Sequence, residues 1–265
     1  MGVKGIGIAT IIAQLFSLII ILTKVLKNNR IKEINKNYLI PKFIFFRNIF
    51  FQSMPITVSI CGYALAAAII FTYVGQSGEY AAAGYGAGTR IEQVVLLPIL
   101  GINTAIISII AQNYGAKNFY RIKETYITAI KYAFVIMVIS GIIVFISAGI
   151  ITSIFSNDPE VIEYGKKYLK ISAFVLPAYP VFFLSNGFFM ALKKSEMAMI
   201  SNLFRNVLNP IVVFYIANYI DASFSTFFWI WVGINWFFSI SYFIIIIYYF
   251  KNRLGKSRAI LNPSP

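Results

Sequence analysis

The chain has 265 residues, of which 59% are hydrophobic and 12% charged, with a mean hydropathy of +0.76. A soluble domain needs far more polar surface, so this composition excludes one and requires a bilayer as solvent. The net charge of +14 does not point to nucleic acid, because the basic residues collect in alternate loops between apolar runs. The single cysteine, Cys61, excludes an internal disulfide.

In chain order, seven apolar stretches can cross about 30 Å of hydrocarbon at about 1.5 Å per helical residue. They lie near 3–25, 48–73, 83–112, 127–152, 168–191, 199–219 and 225–250. This predicts an all-α, polytopic membrane bundle of about seven transmembrane helices. Met1 runs almost directly into the first stretch without a basic leader, so no cleavable signal peptide is expected. Residues 27–47 form a basic, amphipathic linker that either only sets topology or also holds anionic lipid. The third stretch opens in AAAGYGAG at 81–88, small residues that let helix backbones approach closely. The glycines at 84, 86 and 88 have the wrong spacing for a phosphate loop, and no strand precedes them. Pro98, Pro177, Pro180 and Pro210 are expected to kink their helices, with neighbours or water satisfying the freed carbonyls.

Orientation follows from the loops. One side collects the Lys and Arg residues of 24–47, 117–131 and 251–258, together with Lys193, Lys194 and Arg205. The other holds Lys4, Lys166, Lys167 and Lys170 beside Asp158, Glu160, Glu163 and Asp221. The basic side is expected to be cytoplasmic, placing the carboxy terminus inside and the amino terminus outside a bacterial inner membrane.

From about 44 to 220 the chain resembles the multidrug and toxic compound extrusion (MATE) family in its carboxy-terminal lobe. The most specific stretch is AAAGYGAGTRIEQVVLLPILGINTAIISIIAQNYGAKN at 81–118, similar to the family's eighth helix and the turn after it. GVKGIGIATIIAQ at 2–14 looks like the sixth helix, and Pro55 and Gly187 also fit. The resemblance implies helices six to twelve of a twelve-helix transporter, built from two six-helix bundles around a central cavity. Residues 1–26 would then be the last helix of the amino-terminal lobe and 27–47 a cytoplasmic linker. Residues 48–250 would form the six-helix carboxy-terminal lobe and 251–265 a cytoplasmic tail. The rest of the amino-terminal lobe is expected to lie upstream.

Intramembrane charge is expensive, so Arg90 and Glu92 are the first site candidates. Being two apart, they face different sides of a helix and cannot pair. Glu92 and Asn103, eleven apart, return to nearly one face after three turns, forming either a polar stripe on a cavity or an interfacial pair. Tyr63, Tyr179, Asn186, Asn206 and Asn209 lie within apolar stretches and suit either flat cationic substrates or hydrogen bonding between helices. Gln112, Asn113 and Gly115 are expected to cap a cytoplasmic helix end, with Gly115 left-handed.

The family's sodium-coupled branch carries acids where this chain has Tyr63 and Tyr179, and a neutral Tyr does not replace a carboxylate near pH 7. The chain looks more like the branch whose coupling acid lies in the first helix, outside these residues. The implied function is proton- or sodium-coupled antiport exporting cationic, aromatic compounds, with no cofactor and no metal. The alternatives are a lipid-linked oligosaccharide flippase of the same superfamily, for which only Arg90 offers a phosphate-facing charge, and a non-functional truncated transporter. An intramembrane protease is excluded, since the chain has no His and Asp158 and Asp221 both fall in outer loops.

Overall fold

Prolines and small residues decide where the apolar stretches divide into separate helices. The computed structural model describes residues 2–27 and 43–250, so most of the basic linker and the whole tail beyond 250 lie outside the described residues. The described elements are α1 (Gly2–Leu26), α2 (Phe43–Gln76), α3 (Glu79–Val95), α4 (Leu97–Gly115) and α5 (Phe119–Ser153). They continue with α6 (Pro159–Ser172), a 3-10 turn (Leu176–Ala178), α7 (Tyr179–Ala191) and α8 (Ser195–Leu203). A π-helical segment (Phe204–Leu208) then leads into α9 (Asn209–Tyr219), and α10 (Phe224–Tyr249) follows.

Among the described residues six helical segments are long and apolar enough to cross a membrane. The first stretch expected from the sequence, near 3–25, is helical as α1 over Gly2–Leu26, with Ile11–Leu26 as a shorter apolar helix. Residues up to Phe51 form one compact unit and those from Gln52 onward a second. In the first, the side chains from Ile11 to Lys27 are exposed.

Of the described prolines of the second unit, all but Pro55, which lies inside α2, sit at the start of a helical segment. Pro98, Pro180 and Pro210 occupy the first turns of α4, α7 and α9, and Pro177 the 3-10 turn. The stretch expected at 83–112 is consequently two helices, divided at Leu96. The breaks expose backbone carbonyls, and α10 satisfies two of them. Trp236 Nε1–H donates to Phe174 O at 2.9 Å, and Ser239 Oγ–H to Ala178 O at 3.2 Å.

Two apolar clusters fill the interior. One includes Val74, Ala81, Ile99, Met137, Leu169 and Phe227, and the other Ile110, Ile122, Tyr126, Phe188 and Ile246. Ile142, Ile146, Ile150 and Ile154 are exposed along α5, as expected of a surface that meets lipid rather than water. Three helices end on a left-handed non-glycine residue, namely Lys117, Lys193 and Asp221. At each, the next residue's N–H reaches back five positions: Asn118 N to Asn113 O, Lys194 N to Phe189 O, and Ala222 N to Ala217 O. Lys117, not Gly115, therefore takes the left-handed position after α4, and Gly115 is the last helical residue.

Candidate functional site

Gly84, Gly88 and Glu92 recur every four residues and share one face of α3. That face packs against α6 so closely that a side chain on Gly84 would come within 2.7 Å of Gly165 N and Val161 O. One turn along, the Tyr168 ring occupies the space that a side chain on Gly88 would need. Absent side chains thus bring the two backbones together and let Tyr168 lie along α3 until its hydroxyl reaches Glu92.

The Glu92 carboxylate, half-buried, accepts two hydrogen bonds: from Tyr168 Oη–H on Oε2, and from Tyr179 Oη–H on Oε1 at 2.6 Å. Tyr179 is also engaged through its ring, whose centroid lies 4.6 Å from the Arg205 guanidinium carbon. Arg205 lies 4.2 Å from the Phe182 ring and 5.5 Å from that of Phe183, and its Nε–H donates to Asn235 Oδ1 at 3.3 Å. Tyr179 therefore stands between an anion and a cation, its hydroxyl on one and its π-face on the other. Tyr85 and Phe228 back the cluster, their rings 5.0 and 4.9 Å from that of Tyr168.

Glu92 lies near the end of α3, and its partners fall inside segments able to cross a membrane. Arg205 falls near the middle of the segment Ser195–Tyr219, and Tyr179 well inside Pro159–Ala191. Arg205 was expected among the cytoplasmic loop charges and is instead an intramembrane cation. The π-helical turn around it and the rings beneath it account for its position.

The remaining sequence candidates are placed elsewhere. Arg90 is exposed and points away from Glu92, as their spacing requires. Asn103 is not on a continuous stripe with Glu92, because the break at Leu96 puts them on different helices; its Oδ1 is buried against Gly187. Tyr63 and Asn206 line a separate hollow of about 260 Å³ together with Asn202 and Met190. Asn186 donates to Asn202 Oδ1 at 3.1 Å and accepts from Tyr242 Oη–H at 3.1 Å, joining three helical segments. Asn209 is fully buried, and neither of its amide atoms has a hydrogen-bonding partner among the described residues. Gln112 and Asn113 are turned to their own helix, Asn113 Nδ2–H donating to Ile109 O at 2.8 Å and Gln112 Nε2–H to Ser108 Oγ at 3.4 Å. Among the described residues no His, Cys, Asp or Glu side chains gather in a metal-binding cluster.

Tyr168 and Arg205 were not singled out from the sequence, though signals for both exist. Tyr168 opens the apolar stretch 168–191, and Arg205 falls inside the stretch 199–219.

The family model described as MatE matches residues 55–216, which includes every member of this cluster except Asn235 and Phe228. The chain belongs to the MatE family. Multidrug export protein MepA of Staphylococcus haemolyticus is 24% identical over 263 residues, covering 97% of this chain and 55% of that protein. The FAD transporter of Shewanella oneidensis is 27% identical over 158 residues, 60% of this chain and 35% of its own length. Among solved structures, a crystal structure of MATE in complex with MaL6 superimposes with a TM-score of 0.76 at 19% identity, covering 85% of this chain and 50% of that one. An outward-facing multidrug resistance MATE transporter gives 0.72 at 20% identity, again with 85% and 50% coverage. This MatE chain thus spans about half the length, or less, of the relatives it matches. Its fold is that of one lobe of these transporters, and it is a multi-pass membrane protein of a transporter family.

Proposed function

We propose that this chain forms the carboxy-terminal lobe of a secondary active transporter that exports cationic, aromatic solutes in exchange for a proton or sodium ion. The observation that carries the reading is Tyr179, held between Glu92 and Arg205 at mid-span. While Glu92 is ionised it accepts from both tyrosine hydroxyls. A proton or a cation arriving on the carboxylate competes for those lone pairs, releases the Tyr179 hydroxyl and loosens the ring's hold on Arg205. The faces of Tyr179, Phe182 and Phe183 already hold one planar, delocalised cation, so a flat organic cation can replace the guanidinium there at little cost in ring contacts. Loading of one ion and binding of the other are thereby linked through a single side chain. The opposite lobe is expected to complete the cavity, the basic loops to face the cytoplasm and the carboxy terminus to lie inside.

A second reading is favoured by Arg205 itself. An intramembrane guanidinium released from its rings suits a phosphate-bearing solute, and a relative of this chain is named as an FAD transporter. Inside-out vesicles from an efflux-deficient bacterial host test both readings, with the chain expressed alone and with an amino-terminal lobe supplied by co-expression. Gradient-driven uptake of a planar dye cation, abolished by Glu92→Gln and by Tyr179→Phe, is the expected result. Uptake of a flavin nucleotide that depends on Arg205 would select the second reading. Transport with unchanged rate and pH dependence in Glu92→Gln would remove the cluster from the mechanism.

A further inference from the structure

The lipid-facing side of the second unit carries a feature that the site above does not use. A furrow of about 590 Å³ lies between α5, the break after α6 and α10, walled by Gly141, Ile142, Phe145, Phe174, Trp229 and Trp236. Its walls are rings and aliphatic carbon, and the Trp236 indole N–H is already committed to Phe174 O. Gly141 gives it depth, because a side chain there would come within 2.9 Å of Ala173 O and hold α5 away. The furrow runs from Ile146 to Val138 on α5 and from Trp229 to Trp236 on α10. That is eight and seven residues, or about 10–12 Å, against about 15 Å for the hydrocarbon of one leaflet.

One end of the furrow is positively charged. Lys170 Nζ stands 5.2 Å from the Phe145 ring centroid, and one turn earlier the Lys166 side chain lies along Gly149 of α5. Both lysines share a hollow of about 600 Å³ with Glu163 and Lys167. Glu163 is paired with Lys167 at 2.7 Å, the one ion pair among the described residues. Asp158, at the start of α6, is used to cap the helix by accepting from Glu160 N at 2.9 Å. Lys166 and Lys170 are thus in no ion pair among the described residues, although Glu163 lies near enough to Lys166 to be influenced by its charge, and they flank the mouth of an apolar groove seven and eleven residues into the segment Pro159–Ala191.

We propose that this is a binding site for one anionic phospholipid, with its phosphate between Lys166 and Lys170 and one acyl chain in the furrow. Lipid tails outside the furrow are as apolar as its walls, so the chain contributes fit rather than driving force, and the head group sets selectivity. Each lysine near the membrane surface is worth about 1 kcal/mol toward an anionic lipid, a factor of about five. Trp229, half-exposed near the start of α10, sits where indoles concentrate at the hydrocarbon boundary.

Tryptophan quenching by brominated lipid tests the site, since two of the three tryptophans line the furrow. The chain carrying Trp231→Phe is reconstituted in phosphatidylcholine nanodiscs doped with dibrominated phosphatidylglycerol or dibrominated phosphatidylcholine. The anionic lipid should quench more strongly, and Lys166→Gln and Lys170→Gln should each reduce that preference about fivefold. Lys123→Gln, a distant basic control, should leave it unchanged. Ile142→Phe, at an exposed wall position, should reduce quenching by either lipid. Equal quenching by the two lipids, or a preference that survives the double lysine substitution, would overturn the proposal. Native mass spectrometry of the unsubstituted chain gives an independent reading: retention of phosphatidylglycerol over phosphatidylcholine supports the site, and equal retention overturns it.

Discussion

Gly84→Ala puts the α3–α6 contact under direct load. The new methyl would lie 2.7 Å from Gly165 N, 2.7 Å from Val161 O and 2.8 Å from Tyr164 Cβ. Two of these atoms are backbone and cannot rotate aside, so α3 and α6 must separate. Overpacking of this kind costs about 1–3 kcal/mol, and the backbone contacts place it at the upper end. The gain in helix propensity from Gly to Ala returns only about 0.8–1.0 kcal/mol. The net expectation is a loss of about 1–2 kcal/mol. Gly86, two residues on, has nothing within 4 Å of an added Cβ, so Gly86→Ala keeps the propensity gain and should stabilise. Thermal unfolding of both variants in detergent, followed by fluorescence-detected size exclusion, should place Gly84→Ala below and Gly86→Ala above the parent chain. Separation of the helices also withdraws Tyr168 from Glu92, so Gly84→Ala should impair transport where Gly86→Ala does not. A Gly84→Ala chain at least as stable as Gly86→Ala would refute the argument.

The left-handed helix ends yield a prediction of opposite sign. Lys193→Gly at φ 58° should stabilise by a few tenths to ~1 kcal/mol, since relief of the side-chain clash outweighs the extra freedom of the unfolded chain; a lower melting temperature would contradict this. Topology can be read in intact cells with an impermeant maleimide in a Cys61→Ala background. Arg121→Cys should resist labelling and Glu160→Cys should react, and the reverse pattern would invert the orientation.

Helix content, the close packing promised by the 81–88 stretch and the spacing argument that separates Arg90 from Glu92 were all legible in the sequence. Each depends on neighbours within one helix or on composition. What was hidden depends on breaks. Glu92 and Asn103 share a face only if the helix runs unbroken through Leu96, and Pro98 ends that continuity. Tyr179 could be marked as a polar group in an apolar run, but its partners come from α3 and from the π-helical segment, distant in sequence. Arg205 was misplaced because it follows Lys193 and Lys194, and a charge count by loop cannot see a cation seated on three rings. The left-handed position after α4 was expected at Gly115 by propensity, whereas Lys117 holds it, with the next residue's N–H bonded back to Asn113 O.

The π-helical turn at Phe204–Leu208 has a consequence for reading any relative of this chain. A π turn is an α-helix carrying one surplus residue, so positions on either side of it are out of step by about 100°. Counting back from Pro210 with ordinary helical periodicity would aim Arg205 away from Tyr179, and counting forward from Ser195 would misdirect Asn209. A relative lacking that one residue would carry the same letters on a different face. Its equivalent of Arg205 would then meet lipid or solvent, and the rings of Tyr179, Phe182 and Phe183 would stand uncovered. One insertion or deletion in this turn is enough to change the charge presented at mid-span while every neighbouring side chain stays the same.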